Sequence, residues 1–202
     1  VIKPVEARAD IDQKVEVLSY DELDAYIEGQ LKALNVPGAS LVVIEGDQIV
    51  HTKGFGTSGS GDSAPTPQTP FFIGSLTKSF TSLAIMQLVE EGKIDLDAPV
   101  QQYLPWFTLA DAEAASRITV RQLMIQTSGI SQIPGMIGLA NFDNSPDGSE
   151  RQARGLSNYL PSNQPGETWE YSNVNFNLLG LIVEVVSGEK YGEYVQNHIF
   201  AP

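Results

Sequence analysis

Two short runs, Ala39 to Glu45 and Gln48 to Phe55, meet at Gly46-Asp47 and constrain the fold more than any other stretch. A glycine-containing pair between two β-prone runs is a hairpin signal. Leu41-Val42-Val43-Ile44 is apolar without alternation, the pattern of a strand covered on both faces. Two strands do not make a stable sheet alone, and nothing after residue 56 has comparable strand character. The predicted class is therefore α+β. It combines a helical region with a two-stranded hairpin belonging to an antiparallel sheet, completed by a C-terminal part beyond Pro202 in the same chain or in a cleaved second chain.

The remaining patterning is helical. Ser19-Tyr20-Asp21-Glu22 is a capping box, followed at helical spacing by Leu23, Tyr26 or Ile27, Leu31 and Leu34. Further helices are expected at about 75–91, 120–126, 150–160, 174–187 and 191–199, and Gly54 to Pro70 reads as loop. Residues 1–18 read as a polar N-terminal arm. Residues 19–202 read as one incomplete domain, with a sheet-side part over 19–70 and a helical region over 71–202.

Chemistry enters at Ser75-Leu76-Thr77-Lys78, which opens the helical run to Glu91. Residues three apart on a helix are neighbours, so a nucleophile and a base can stand side by side. A lysine serves as base only if burial lowers its pKa. Phe80, Leu83, Ala84, Met86, Leu88 and Val89 are expected to supply the apolar setting. Spacing alone decides little: 17 serines and 7 lysines give about 0.6 such matches by chance. Position separates the two that occur. Ser187-Gly188-Glu189-Lys190 closes a helix, with Gly188 as its expected C′ residue. Ser75 stands at the positive end of its helix, where backbone N–H groups hold an anion. The plainer alternative is an N-cap serine and a solvated lysine.

Tyr171-Ser172-Asn173 follows a turn at Pro165-Gly166 and precedes the helix over 174–187. In an extended geometry a phenol and an amide two residues apart face the same cavity. A tyrosine beside a lysine ammonium has its phenolate favoured and exchanges protons nearer neutral pH. Asparagine can accept from that lysine and donate to a substrate carbonyl; its plainer role is to cap the next helix.

With these residues the chain resembles the serine beta-lactamase and penicillin-binding-protein superfamily. The resemblance is to the branch of class C beta-lactamases, D-alanyl-D-alanine peptidases and related esterases. It runs from about Leu34 to Pro202 and includes the stretches Val36 to Ile44, Ile118 to Ile130 and Pro165-Gly166-Glu167. Ser-Asp-Asn, which marks class A enzymes, is absent, and Tyr171-Ser172-Asn173 stands in its place. The resemblance implies Ser75 as acylated nucleophile, Lys78 and Tyr171 as the catalytic proton-transfer pair, and Asn173 as a substrate-binding amide. The Ser75 backbone N–H would form half of the oxyanion hole. Thr127-Ser128-Gly129 would border the site, and Gln126, where many members carry histidine, is given no chemical role. The family's third motif, Lys-Thr-Gly or His-x-Gly on a later strand, is not found. Lys190-Tyr191-Gly192 reads as a helix connection.

Composition narrows the rest. The chain has no cysteine and only two histidines, His51 and His198, so thiolate chemistry is excluded and no metal or other cofactor is expected. No Gly-x-Ser-x-Gly elbow occurs. A formal net charge of −13 disfavours nucleic acid and anionic membranes as partners, and no apolar run is long enough to span a bilayer. No basic-then-apolar leader is present, so a signal peptide was either removed or never existed. The resemblance implies an exported protein, periplasmic, cell-envelope or extracellular. It would act on a small-molecule or peptidoglycan-peptide substrate, with the C-terminal remainder of the protein as structural partner. Its expected activity is acyl-enzyme hydrolysis of a beta-lactam, a D-amino-acid peptide or a carboxylester. The alternatives are a non-catalytic penicillin-recognising sensor or interaction module on the same fold, and a fragment inactive without its C-terminal part.

Overall fold

The computed structural model describes residues 19–59, 63–134, 145 and 147–201, so the arm expected over residues 1–18 lies outside the described residues. The chain divides into two compact units, Val1–Phe72 and Ile73–Pro202.

In the first unit, α1 (Tyr20–Ala33) starts at the predicted capping box. The Ser19 N–H donates to Glu22 Oε2 at 2.8 Å and the Glu22 N–H returns to Ser19 Oγ at 3.3 Å. The strands β1 (Gly38–Glu45) and β2 (Gln48–Gly56) pair antiparallel, Glu45 opposite Gln48, with a bulge between Val43 and Ile44. Gly46 takes φ +64°, as a tight hairpin turn demands.

The helix meets the hairpin through charge more than through the apolar stripe read from its spacing. Asp24 is its one buried residue; Leu23, Ile27 and Leu31 are half-buried, while Tyr26 and Leu34 are exposed. Asp24 Oδ1 lies 2.9 Å from His51 Nε2 and Asp24 Oδ2 lies 3.0 Å from Lys53 Nζ. His51 and Lys53 stand two residues apart and so share one face of β2. Burial pushes the Asp24 carboxyl up, but His51 and Lys53 outweigh it and hold its pKa below the usual value. The Tyr20 ring stacks on His51 at 4.7 Å. The other face of the hairpin is apolar and open: Val42, Ile44 and Ile49 are 53 %, 59 % and 66 % exposed. Among the described residues these are the only two strands.

The second unit is helical. It contains α2 (Thr77–Glu90), α3 (Ala112–Arg117), α4 (Val120–Met124), α5 (Gly148–Arg154), α6 (Asn173–Ser187) and α7 (Tyr191–Val195). Neither α3 nor the 3₁₀ turn Val100–Gln102 is among the elements expected from sequence. α3 is set by its cap, Asp111, whose Oδ1 accepts from the Ala114 N–H at 2.9 Å. α6 ends as expected at Gly188, φ +78°, whose N–H donates to the Glu184 carbonyl at 2.9 Å.

The core forms where α2 contributes Ile85 and Leu88, α4 Val120 and Leu123, and α6 Leu178, Leu179 and Ile182, all fully buried. Truncating a buried leucine costs about 2–5 kcal/mol. Leu178→Ala is expected to lower stability by that amount, read from the shift of the urea unfolding midpoint. α6 is the hub of this packing, and Asn173 is its first residue.

Candidate active site

Gly74 takes φ +54°, a turn that glycine makes without a steric cost. A 3₁₀ turn over Gly74–Leu76 then feeds directly into α2 at Thr77. Ser75 therefore sits just ahead of α2, and Lys78 is the second residue of the helix. Tyr171 and Asn173 arrive from the other side. The backbone of Ser172, at φ −142° and ψ 123°, is extended, so its neighbours turn one way while its own side chain turns into the protein. Asn173 does not cap α6 as its plainer reading supposed. It is the first residue of the helix, and Ser172 holds the cap position.

All four predicted residues meet. Ser75 Oγ is 2.6 Å from the Tyr171 hydroxyl. Lys78 Nζ donates to Ser75 Oγ at 3.3 Å and to Asn173 Oδ1 at 2.7 Å. Burial raises the Tyr171 pKa, but the Lys78 ammonium and the Ser75 hydroxyl more than offset it and hold the phenol below its ordinary value.

The apolar setting of Lys78 differs from that read in the sequence. Leu83 and Met86 point to solvent, and Ala84 and Leu88 belong to the core. The ammonium instead lies 4.9 Å from the Tyr171 ring centroid and 5.5 Å from that of Phe176, within range of cation–π attraction. Helical phase explains this, because Lys78 lies on the side of α2 that carries Thr81, Ile85 and Leu88, away from Leu83 and Met86.

A cleft of about 490 Å³ opens at these groups, lined among others by Gly74, Ser75, Lys78, Asn173, Phe176 and Tyr191. On its wall the Thr81 and Tyr191 hydroxyls are 2.7 Å apart. The second Ser-x-x-Lys match is structural: Ser187 Oγ donates to the Val183 carbonyl at 2.6 Å and Lys190 pairs with Glu184 at 3.4 Å. Among the described residues no group of three or more His, Cys, Asp or Glu is placed to hold a metal ion. No described helix is long and apolar enough to cross a membrane.

One residue left without a role in the sequence stands directly behind the site. Gln126 is 7 % exposed and takes φ +63°. Its side-chain oxygen accepts from the Ser172 N–H at 3.0 Å and from Asn175 Nδ2 at 2.6 Å, and its carbonyl accepts from the Glu170 N–H at 2.8 Å. Nothing in the spacing of a Gln-Thr-Ser-Gly run signals this. The bordering loop is tight as well: a Cβ on Gly129, φ +79°, would lie 2.1 Å from the Asn163 carbonyl oxygen.

The sequence pattern of the beta-lactamase family matches residues 23–202. The chain belongs to the beta-lactamase family. Protein flp of Staphylococcus aureus (strain MW2) is 34 % identical over 186 residues, covering 91 % of this chain and 37 % of flp. The octameric penicillin-binding protein homologue from Pyrococcus abyssi superposes with a TM-score of 0.76 at 34 % identity, over 91 % of this chain and 42 % of that one. A D-stereospecific amidohydrolase from Streptomyces sp. superposes with a TM-score of 0.67 at 32 % identity, over 88 % of this chain and 54 % of that one. This beta-lactamase-family chain thus spans between one third and just over one half of these relatives. Its hairpin and helical unit are the part of the family fold it contains.

Proposed function

We propose that this beta-lactamase-family chain carries the nucleophile and proton-transfer groups of a serine hydrolase that works through an acyl-enzyme. The observation that carries the reading is the 2.6 Å contact between Ser75 Oγ and the Tyr171 hydroxyl, with Lys78 bonded to both Ser75 and Asn173. A nucleophile within hydrogen-bond reach of a base, itself oriented by a third group, is the general signature of covalent catalysis.

In the proposed reaction the Tyr171 phenolate, favoured by Lys78, takes the proton of Ser75 as Oγ bonds to the substrate carbonyl carbon. The tetrahedral intermediate collapses, the bond to the leaving group breaks, and the leaving group takes the proton from Tyr171. Water then attacks the Ser75 ester, gives one proton to Tyr171 and releases the acid; Ser75 recovers that proton. Asn173 accepts from Lys78 and keeps its amide N–H groups for a substrate carbonyl. The Ser75 backbone N–H is one oxyanion donor, and loss of a second donor lowers rate by roughly 10²–10³-fold. The proposed substrates are a beta-lactam, a D-amino-acid peptide or a carboxylester. The amidohydrolase named among the similar structures supports the second class. An exported or cell-envelope location accompanies the reading as part of the same proposal.

The test is covalent labelling of the full-length protein with a fluorescent penicillin and, separately, a fluorophosphonate, with the adduct located by mass spectrometry. An adduct on Ser75 is expected. Labelling by the fluorophosphonate alone selects an esterase; a lasting penicillin adduct selects a penicillin-binding protein, and rapid turnover a beta-lactamase. No adduct on Ser75 from either reagent would leave the non-catalytic sensor as the better account.

A further inference from the structure

We infer that Gln126 is a positioning residue, which fixes the Tyr171 hydroxyl against Ser75 by holding the backbone on both sides of Tyr171. The inference rests on the hydrolase reading for its consequence in rate, but its geometry stands independently of that reading.

Gln126 grips both neighbours of Tyr171. Its carbonyl takes the Glu170 N–H at 2.8 Å, and its side-chain oxygen takes the Ser172 N–H at 3.0 Å. With residues 170 and 172 tied to one residue, the Cα–Cβ direction of Tyr171 is set, and a rigid ring carries that direction to the phenol oxygen.

The grip is itself buttressed. Asn175 Nδ2 donates to Gln126 Oε1 at 2.6 Å, while Asn175 Oδ1 accepts from Ser128 Oγ at 2.7 Å. Ser128 Oγ accepts in turn from the Ile130 N–H at 3.1 Å, and Ser172 Oγ donates to the Ser131 carbonyl at 3.0 Å. Gln126, Ser128, Ser172 and Asn175 are the buried polar residues of this region, none more than 7 % exposed. Satisfied networks of this kind hold one geometry, because breaking any member strands a buried partner.

The backbone conformation of Gln126 argues against a merely incidental role. Gln126 follows the C-cap of α4, Ile125. Its N–H donates to the Leu123 carbonyl at 3.3 Å, and the Thr127 N–H donates to the Gln122 carbonyl at 2.9 Å. This is a Schellman ending, whose C′ residue is left-handed and usually glycine. Helix termination alone asks for glycine there, yet a glutamine stands at φ +63°. Strain held at a buried residue points to a task for its side chain, and the contacts identify that task.

The test uses Gln126→Asn and Gln126→Gly in the full-length protein. Both residues adopt the left-handed backbone at least as readily as glutamine. Asparagine is one methylene too short to reach the Ser172 N–H, and glycine has no side chain. Unfolding midpoints report integrity, the rate of Ser75 modification by a fluorophosphonate reports chemistry, and NMR of a ¹³Cζ-labelled Tyr171 reports the phenol titration directly. Folded variants are expected to acylate roughly 10–100-fold more slowly, the scale set by small misplacements of catalytic groups, with Tyr171 titrating at higher pH than in the parent. Folded variants with parental acylation and parental titration overturn the inference. So does failure of both to fold, because the role of Gln126 is then structural. If the parent itself takes no adduct at Ser75 the hydrolase reading fails, and the Tyr171 titration alone still decides whether Gln126 positions the phenol.

Discussion

Ser75→Ala is expected to abolish covalent labelling and to lower turnover at least ~10⁴-fold, the scale on which removal of a serine nucleophile acts in enzymes that use one. Oγ is bonded to the Tyr171 hydroxyl at 2.6 Å and to Lys78 at 3.3 Å, but Ser75 is exposed and lies outside the core. A surface substitution of this kind moves stability by no more than about 0.5 kcal/mol. The expected signature is therefore a folded protein with an unchanged unfolding midpoint and no acyl adduct. Ser187→Ala is the matched control, since the second Ser-x-x-Lys serine bonds to the Val183 carbonyl and the Glu189 N–H at its own helix end, and it is expected to retain full labelling. Labelling that survives Ser75→Ala at the parental rate would move the nucleophile elsewhere.

What the sequence makes legible here is local. Ser75 and Lys78 were readable because helical spacing fixes neighbours three residues apart, and Gly188 because only a left-handed terminus explains it. Tyr171 and Asn173 were readable as a pair through alternation about Ser172, and their meeting with Lys78 came from the family resemblance. Long-range packing was not readable. The environment of Lys78 depends on Phe176, which is 98 residues away in sequence, and no window of spacing carries that. The α1 stripe failed for a related reason: Asp24, with His51 and Lys53 of β2 as its partners, is buried where an apolar residue is the default expectation. Gln126 is the extreme case, since its importance lies in which backbone groups surround it once the chain has folded.

Lys78→Met tests the division of labour between ammonium and phenol. The rate of Ser75 acylation is expected to fall roughly 10²–10⁴-fold, the contribution typical of one proton-transfer group, and the shape of the pH profile is expected to change with it. As the proposed base, Tyr171 would act only when ionised, so its expected rate contribution rises with pH through the phenol pKa. In the parent that pKa is held below the ordinary tyrosine value because Lys78 and Ser75 together outweigh burial. Lys78 is the charged group acting on the phenol there. Methionine keeps the burial and removes the charge, so the phenol pKa climbs and the acid limb of the profile moves to higher pH. Linkage gives stability the same sign. A group with a depressed folded pKa stabilises above its unfolded value, about 10 for tyrosine, and loses that contribution as pH falls through the folded one. Lys78→Met therefore gives up stability on the alkaline side. Tyr171→Phe completes the comparison, because it removes the titrating group and is expected to flatten the same limb. An acid limb that stays in place in Lys78→Met would mean either that Lys78 does not set the phenol pKa or that the titrating base is a group other than Tyr171. Tyr171→Phe separates the two, since the limb persists there only in the second case.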